Sequence, residues 1–181
     1  GSRRLFLRRQ RVPEVMTTVA VHSYAHSVSY VTDNILKSFK DVLVHSGLDP
    51  QKLAGDHKVL HAGIKRWIET EYLESVTLEI YHPKTDALIR RWDIAVSYAW
   101  SSDAGNFWVD TDAIRYAIQK LGLHPAEALY RVVVKNKSGR PDVEGWSATD
   151  FRSTDGMVRQ SIGTGVEHNG LSANTSYWRP K

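Results

Sequence analysis

The side chains equipped for chemistry do not converge. His22 and His26 stand at i,i+4 spacing, which on a helix puts two imidazoles on one face, as in zinc-binding pairs. Ser23 follows His22, so the glutamate that serves as general base in such a motif is missing. Capping or surface histidines are the simpler reading. Asp103, Asp110 and Asp112 could offer carboxylates to a cation, but the helix dipole alone favours acids at a helix start. Ser153-Thr154-Asp155 makes no nucleophilic arrangement, and Gly163-Thr164-Gly165 is too isolated to cradle a phosphate. Neither a G-x-S-x-G elbow nor a Walker loop occurs. No catalytic residue, metal ligand or cofactor is assigned, and the chain is expected not to be an enzyme. A small metal-dependent hydrolase would rest on nothing more than these histidines and aspartates.

The elements that would carry any site are clearer. Val28, Val31, Ile35, Leu36, Phe39, Val42 and Leu43 form one stripe at helical period and predict a buried helix over 27–46, closed by Gly47. Before it, 17–24 (TTVAVHSY) alternates and reads as a short extended segment. Asp49-Pro50 opens a helical turn. A second helix spans 56–70 with Leu60, Ile64, Trp67 and Ile68 inward. The period then changes to two: 76–81 and 88–100 predict an antiparallel hairpin around the turn His82–Asp86. After a polar loop at 101–106, a third helix runs to Lys120 with Ile114, Ala117, Ile118 and Leu121 inward. Residues 129–136 make another strand.

Beyond Lys137 regularity stops. Residues 138–181 hold six of the twelve glycines, yet also Trp146, Phe151, Met157, Tyr177 and Trp178. A disordered tail would lack such apolar groups. The segment therefore reads as a chain that wraps the body, with Trp146 and Trp178 as largely buried anchors.

Composition narrows the classes. There is no cysteine, so disulfides and thiolate zinc sites are excluded and a cytoplasmic location is expected. No run approaches the ~20 apolar residues of a membrane span, and no membrane partner is expected. Residues 1–15 carry five arginines and one acid, Glu14, so the whole net charge of +4 sits there and the rest balances. A nucleic-acid partner is not expected from a domain without basic excess. Gly1-Ser2 reads as a remnant of tag removal and Met16 as a natural start.

The stretch SYAHSVSYVTDNILKS resembles the bacterial HORMA proteins of CBASS anti-phage operons. So do LEIYHPKTDALIRRWDI, GRPDVEGW, FRSTDGMVRQS and VEHNGL…YWR. The resemblance covers Met16 to Lys181. It implies an α+β HORMA domain, with three helices packed on an antiparallel sheet: a leader at 1–15, a core at 16–138 and a C-terminal safety belt at 139–181. Belt residues are then Gly139, Trp146, Phe151, Met157, His168, Gly170, Tyr177 and Trp178. The implied function is regulatory. Closed around a closure-motif peptide, the domain binds and activates a cGAS/DncV-like nucleotidyltransferase. A ring-shaped AAA+ ATPase reopens it by engaging its N-terminal segment, here Thr17, Thr18 and Val19. The leader, with Leu5, Phe6, Leu7 and Val12 as apolar anchors, is a candidate closure peptide joined to the chain; a vector remnant or an upstream extension are its alternatives. A static protein-interaction adaptor without conformational switching is the alternative for the whole domain.

Overall fold

The computed structural model describes residues 15–99, 107–109, 112–168 and 171–181. Helix α1 (Val15–His45) is followed by α2 (Gln51–Gly55), α3 (His57–Glu69), β1 (Leu73–Tyr81) and β2 (Leu88–Tyr98). Then come β3 (Phe107–Val109), α4 (Asp112–Leu121), β4 (Leu129–Asn136), β5 (Met157–His168) and β6 (Leu171–Pro180).

The apolar stripe of α1 is its buried face, from Val28 at 1% exposure to Leu43 at 0%. The helix stops as the sequence predicts. Gly47 adopts φ +83°, a left-handed conformation that costs a glycine little. Leu48 N–H then donates to the Leu43 carbonyl at 2.8 Å, and Gly47 N–H to Val44 at 3.2 Å, the paired bonds of a Schellman ending. At its other end α1 differs from expectation: it starts at Val15 and runs through 17–24. The alternation of Val19 and Val21 covers too few residues to separate period two from period 3.6.

The six strands form one sheet in the order β3-β5-β6-β2-β1-β4. β1 and β2 make the expected hairpin, with Leu78 opposite Trp92 and Val76 opposite Ile94. β4 lies antiparallel on the other side of β1. Alternation turns Val76, Leu78, Ile80, Trp92 and Ile94 to one face, where they are buried with the helices. Trp100, expected at the end of the second strand, lies outside the described residues.

The largest departure concerns 138–181. Only its first part is irregular. From Met157 the chain is a long hairpin, β5 on β6, and β6 pairs with β2 along Arg91↔Trp178 to Tyr98↔Leu171. Met157, Tyr177 and Trp178 therefore sit on regular strands. Tyr177 is buried, and Trp146 and Trp178 are partly buried. Trp178 lies on the sheet face away from the helices, where its indole N–H donates to Asp93 Oδ2 at 3.0 Å.

Candidate functional site

Because β6 docks on β2, β4 is left as the sheet's outer strand. Among the described residues no strand pairs with its far side. The direction of that edge is marked by Lys52, whose Nζ donates to the Tyr130 carbonyl at 3.4 Å. Antiparallel pairing alternates inward and outward backbone groups, so Val132 and Val134 turn their N–H and C=O the same way. An unpaired edge of this kind is a template for another strand unless something covers it.

The cover is the segment between β4 and β5. It leaves β4 with Lys137 N–H donating to the Tyr72 carbonyl at 2.8 Å and turns at Gly139 beside Tyr72. It crosses the helical side, where Trp67 Nε1–H donates to the Pro141 carbonyl at 2.7 Å. Trp146 then packs edge-on against Trp67, with centroids 5.1 Å apart and planes at 76°. Its own indole N–H donates to the Val59 carbonyl at 2.9 Å. This seat exists because residue 63 of α3 is glycine: an added methyl would stand 2.3 Å from Trp146 Nε1.

From Trp146 the chain passes around the β4 edge to the opposite face of the sheet. There Arg131, on β4, donates from Nη1 to Thr149 Oγ1 at 3.0 Å and from Nη2 to the Asp150 carbonyl at 2.6 Å. Phe151 lies under the Arg91 guanidinium at 4.4 Å. Arg152 closes the path. Its backbone N–H donates to Glu79 Oε2 at 2.8 Å and its Nη1 to Glu79 Oε1 at 2.9 Å. Its Nη2 donates to Asp86 Oδ1 at 2.8 Å, and its guanidinium covers the Tyr81 ring at 3.4 Å.

Glu79 sits in the middle of β1 with 0% exposure. Its charge is met from two sides, since Arg131 Nε also donates to Oε1 at 2.6 Å. A buried carboxylate persists only with such pairing. Burial works against the charge on Arg152, but its hydrogen bonds to Asp86 and Glu79 outweigh that and raise its pKa above the usual arginine value. The hydrogen bond from Arg152 holds the Asp86 carboxyl below the ordinary carboxylate range.

Between the arch and the β4 edge lies a cavity of about 450 Å³, lined among others by Trp67, Val132, Val134, Asn136, Arg140 and Trp146. Asn136 Oδ1 is buried and without a hydrogen-bond partner. The arrangement can take an extended chain. Edge N–H and C=O groups offer a ladder, valines and tryptophans offer apolar contact, and the arch prevents sideways escape.

Of the residues singled out by sequence, Gly139, Trp146 and Phe151 lie on the arch. Met157, His168, Tyr177 and Trp178 belong to the β5–β6 hairpin, with His168 opposite Leu171 and its side chain outside the described part. Thr17, Thr18 and Val19 lie in the opening turns of α1. Gly170, Leu5, Phe6, Leu7 and Val12 lie outside the described residues. Sequence reasoning missed Glu79, Arg131, Arg152 and Gly63. The helix passes through both His22 and His26, with the His22 side chain outside the described part. No described helix is long and apolar enough to cross a membrane.

Comparison with known proteins bears on the fold. A family model described as Bacterial HORMA domain 2 matches residues 16–181. No curated protein matches the sequence. Among solved structures, C. elegans HTP-2 bound to a HIM-3 closure motif is similar with TM-score 0.57 and 13% identity, covering 71% of this chain and 69% of that one. A HORMA-deltaN complex with CdnC from E. coli MS115-1 matches with TM-score 0.56 and 8% identity over 87% and 89% of the two chains. A chain of the mitotic checkpoint complex matches with TM-score 0.55 and 11% identity over 74% and 75%. At such identities the likeness concerns the fold.

Proposed function

The chain belongs to the bacterial HORMA domain 2 family, and on that premise we propose that it is a regulatory domain that closes around an extended closure-motif peptide added to β4. The observation that carries this is an unpaired strand edge beneath an arch fastened on both faces of the sheet. The physics is strand addition: main-chain hydrogen bonds supply affinity and the lining supplies selectivity. Asn136 Oδ1 supplies a buried acceptor for the guest, since a buried group left unpaired costs about 1–3 kcal/mol. In this reading residues 139–181 are the safety belt, of which 139–156 forms the arch and 157–180 the hairpin that leaves β4 free. A peptide under the arch leaves only when the arch opens locally.

The partners follow from the same reading. The likeness to a HORMA protein solved with CdnC supports a cGAS/DncV-like nucleotidyltransferase as the enzyme bound and activated by the closed form, within a CBASS anti-phage operon. An AAA+ ATPase would reopen the domain from Thr17, Thr18 and Val19. The leader, through Leu5, Phe6, Leu7 and Val12, is the candidate peptide within the chain itself.

The test uses Met16–Lys181 and a synthetic peptide of residues 1–15, with peptides that co-purify from the host identified by mass spectrometry as further probes. Bound peptide should slow hydrogen exchange at Val132 and Val134, the outward amides of β4. If a peptide binds tightly and leaves these amides unchanged, strand addition at β4 is wrong.

A further inference from the structure

We propose that Arg152 is the fastener of the arch and Arg131 the post that keeps the fastener's socket charged-neutral when it opens. The proposal deepens the peptide-binding reading, on which it depends for what the opening releases. The arch has two attachments of different kinds. On the helical side the arch is held by packing and by neutral hydrogen bonds, from Trp67 to the Pro141 carbonyl and from Trp146 to the Val59 carbonyl. On the opposite face Arg152 donates three bonds to the Glu79 and Asp86 carboxylates, one from its backbone N–H and two from its guanidinium, all between 2.8 and 2.9 Å. A fourth joins its Nε to the Asp86 carbonyl at 3.0 Å. Charge-assisted bonds of this geometry are roughly twice as strong as neutral ones. Among the described residues no backbone ladder ties 139–156 to a strand, the bond from Lys181 N–H to the Gly156 carbonyl at its end apart, so side chains decide whether it stays down.

Arg131 explains how such a fastener can work repeatedly. Withdrawing Arg152 from a 0%-exposed carboxylate would ordinarily strand a buried charge, which proteins tolerate poorly. Here Glu79 keeps Arg131 Nε, which belongs to β4 and not to the arch. Glu79 also stays fixed on β1, paired on both sides by β2 and β4, so the socket persists in the open state. The other two arms of Arg131 reach Thr149 and Asp150 and guide the arch back. Two arginines on one buried glutamate therefore have separate duties: one structural, one releasable.

The experiment is hydrogen exchange and thermal melting of the full chain with Arg152→Ala, Arg152→Lys, Arg131→Ala and, as a control at an exposed position of the same arch, Glu144→Ala. Arg152→Ala should quicken exchange across 139–156 at least about tenfold, which is about 1.4 kcal/mol. Amides of β1 and β2 should quicken no more than those of the arch, and melting should fall by only a few degrees. Arg152→Lys, which keeps the charge but loses the planar grip, should fall between. Arg131→Ala should lower the melting temperature further, and Glu144→Ala should change neither exchange nor melting. Unchanged exchange across 139–156 in Arg152→Ala, or acceleration greater over β1 than over the arch, overturns the fastener. Arg131→Ala as mild as Arg152→Ala overturns the post. A fluorescent peptide of residues 1–15 then separates this proposal from the functional reading. Faster peptide release in Arg152→Ala supports both. Unaltered release of a peptide that protects β4 sinks the fastener. Quickened arch exchange without any peptide bound by either protein keeps the fastener and sinks this peptide as ligand.

Discussion

Gly63→Ala should separate the arch from the body that carries it, because the single methyl acts with opposite sign on the two. Gly63 lies mid-helix in α3 with no positive φ, so alanine fits the backbone and should stabilise the helix by roughly 0.8–1 kcal/mol. The same methyl would stand 2.3 Å from Nε1 and 2.6 Å from Cε2 of Trp146. Gly63 sits on a helix pinned by buried Ile64, Trp67 and Ile68, so the indole must give way. Leaving its seat forfeits the hydrogen bond to Val59, about 0.5–1.5 kcal/mol. The edge-on contact with Trp67 is worth about 0.5–1.5 kcal/mol more. Arch docking should therefore weaken by about 1–3 kcal/mol, roughly 5- to 150-fold in its closing equilibrium, while the core holds or gains. Exchange in 139–149 should quicken and release of a bound peptide should speed up, while the helix gain offsets part of the docking loss and melting falls by only a few degrees. Gly55→Ala is the control, since nothing lies within 4 Å of its added methyl. If Gly63→Ala leaves exchange in 139–149 and peptide release as in the parent, Trp146 does not hold the arch and the reasoning fails.

Three further outcomes are expected. Trp146→Ala should loosen the same segment, but by less than the ~3–5 kcal/mol of a fully buried tryptophan, because this one is half-buried; an unchanged peptide off-rate would count against the arch. His124 is buried, and burial first, then Arg90, lowers its pKa to about 4. The unfolded state then binds its proton first as pH falls, so stability should decline from about pH 6.5 towards pH 4 by a few kcal/mol at most; His124→Gln should flatten that part of a melting-temperature profile, and an unflattened slope refutes the assignment. Deleting residues 1–15 should expose arch amides if the leader occupies the groove, and identical protection in Gly1–Lys181 and Met16–Lys181 would remove the leader from the account.

What the sequence shows and hides follows from how far apart the contacts are. The α1 stripe and the β1–β2 hairpin are legible because each buries one face along its own length. β6 also alternates, with Leu171, Ala173, Thr175 and Tyr177 buried, but two of the four are small or polar, so the apolar signal is thin. In β5, register shifts between Ser161 and Gly163 and between Thr164 and Val166 break the period of two outright. Glu79 reads as the solvent side of a half-buried strand, and only the returning arch makes that side an interior. Its partner Arg152 is 73 residues away, and Trp146 is 87 from Val59. No local pattern can announce such pairs.

The same distance separates two kinds of opening. The arch is held by side chains, so 139–156 can lift while β5 and β6 stay paired. Moving the hairpin is a different event, because β6 would have to surrender the whole ladder from Arg91↔Trp178 to Tyr98↔Leu171 and uncover Trp92 and Ile94. Local lifting draws on the low end of the opening free energies, ladder loss on the high end. Peptide exchange by lifting should therefore leave β2 and β6 amides protected at all times. Conversion by an ATP-driven remodeller should expose them together with the arch. A hydrogen-exchange time course with a bound peptide, followed from 139–156 into 171–180, reads the two directly. Joint exposure of both segments without any remodeller would show that arch and hairpin open as one unit, and the fastener would then govern the whole belt.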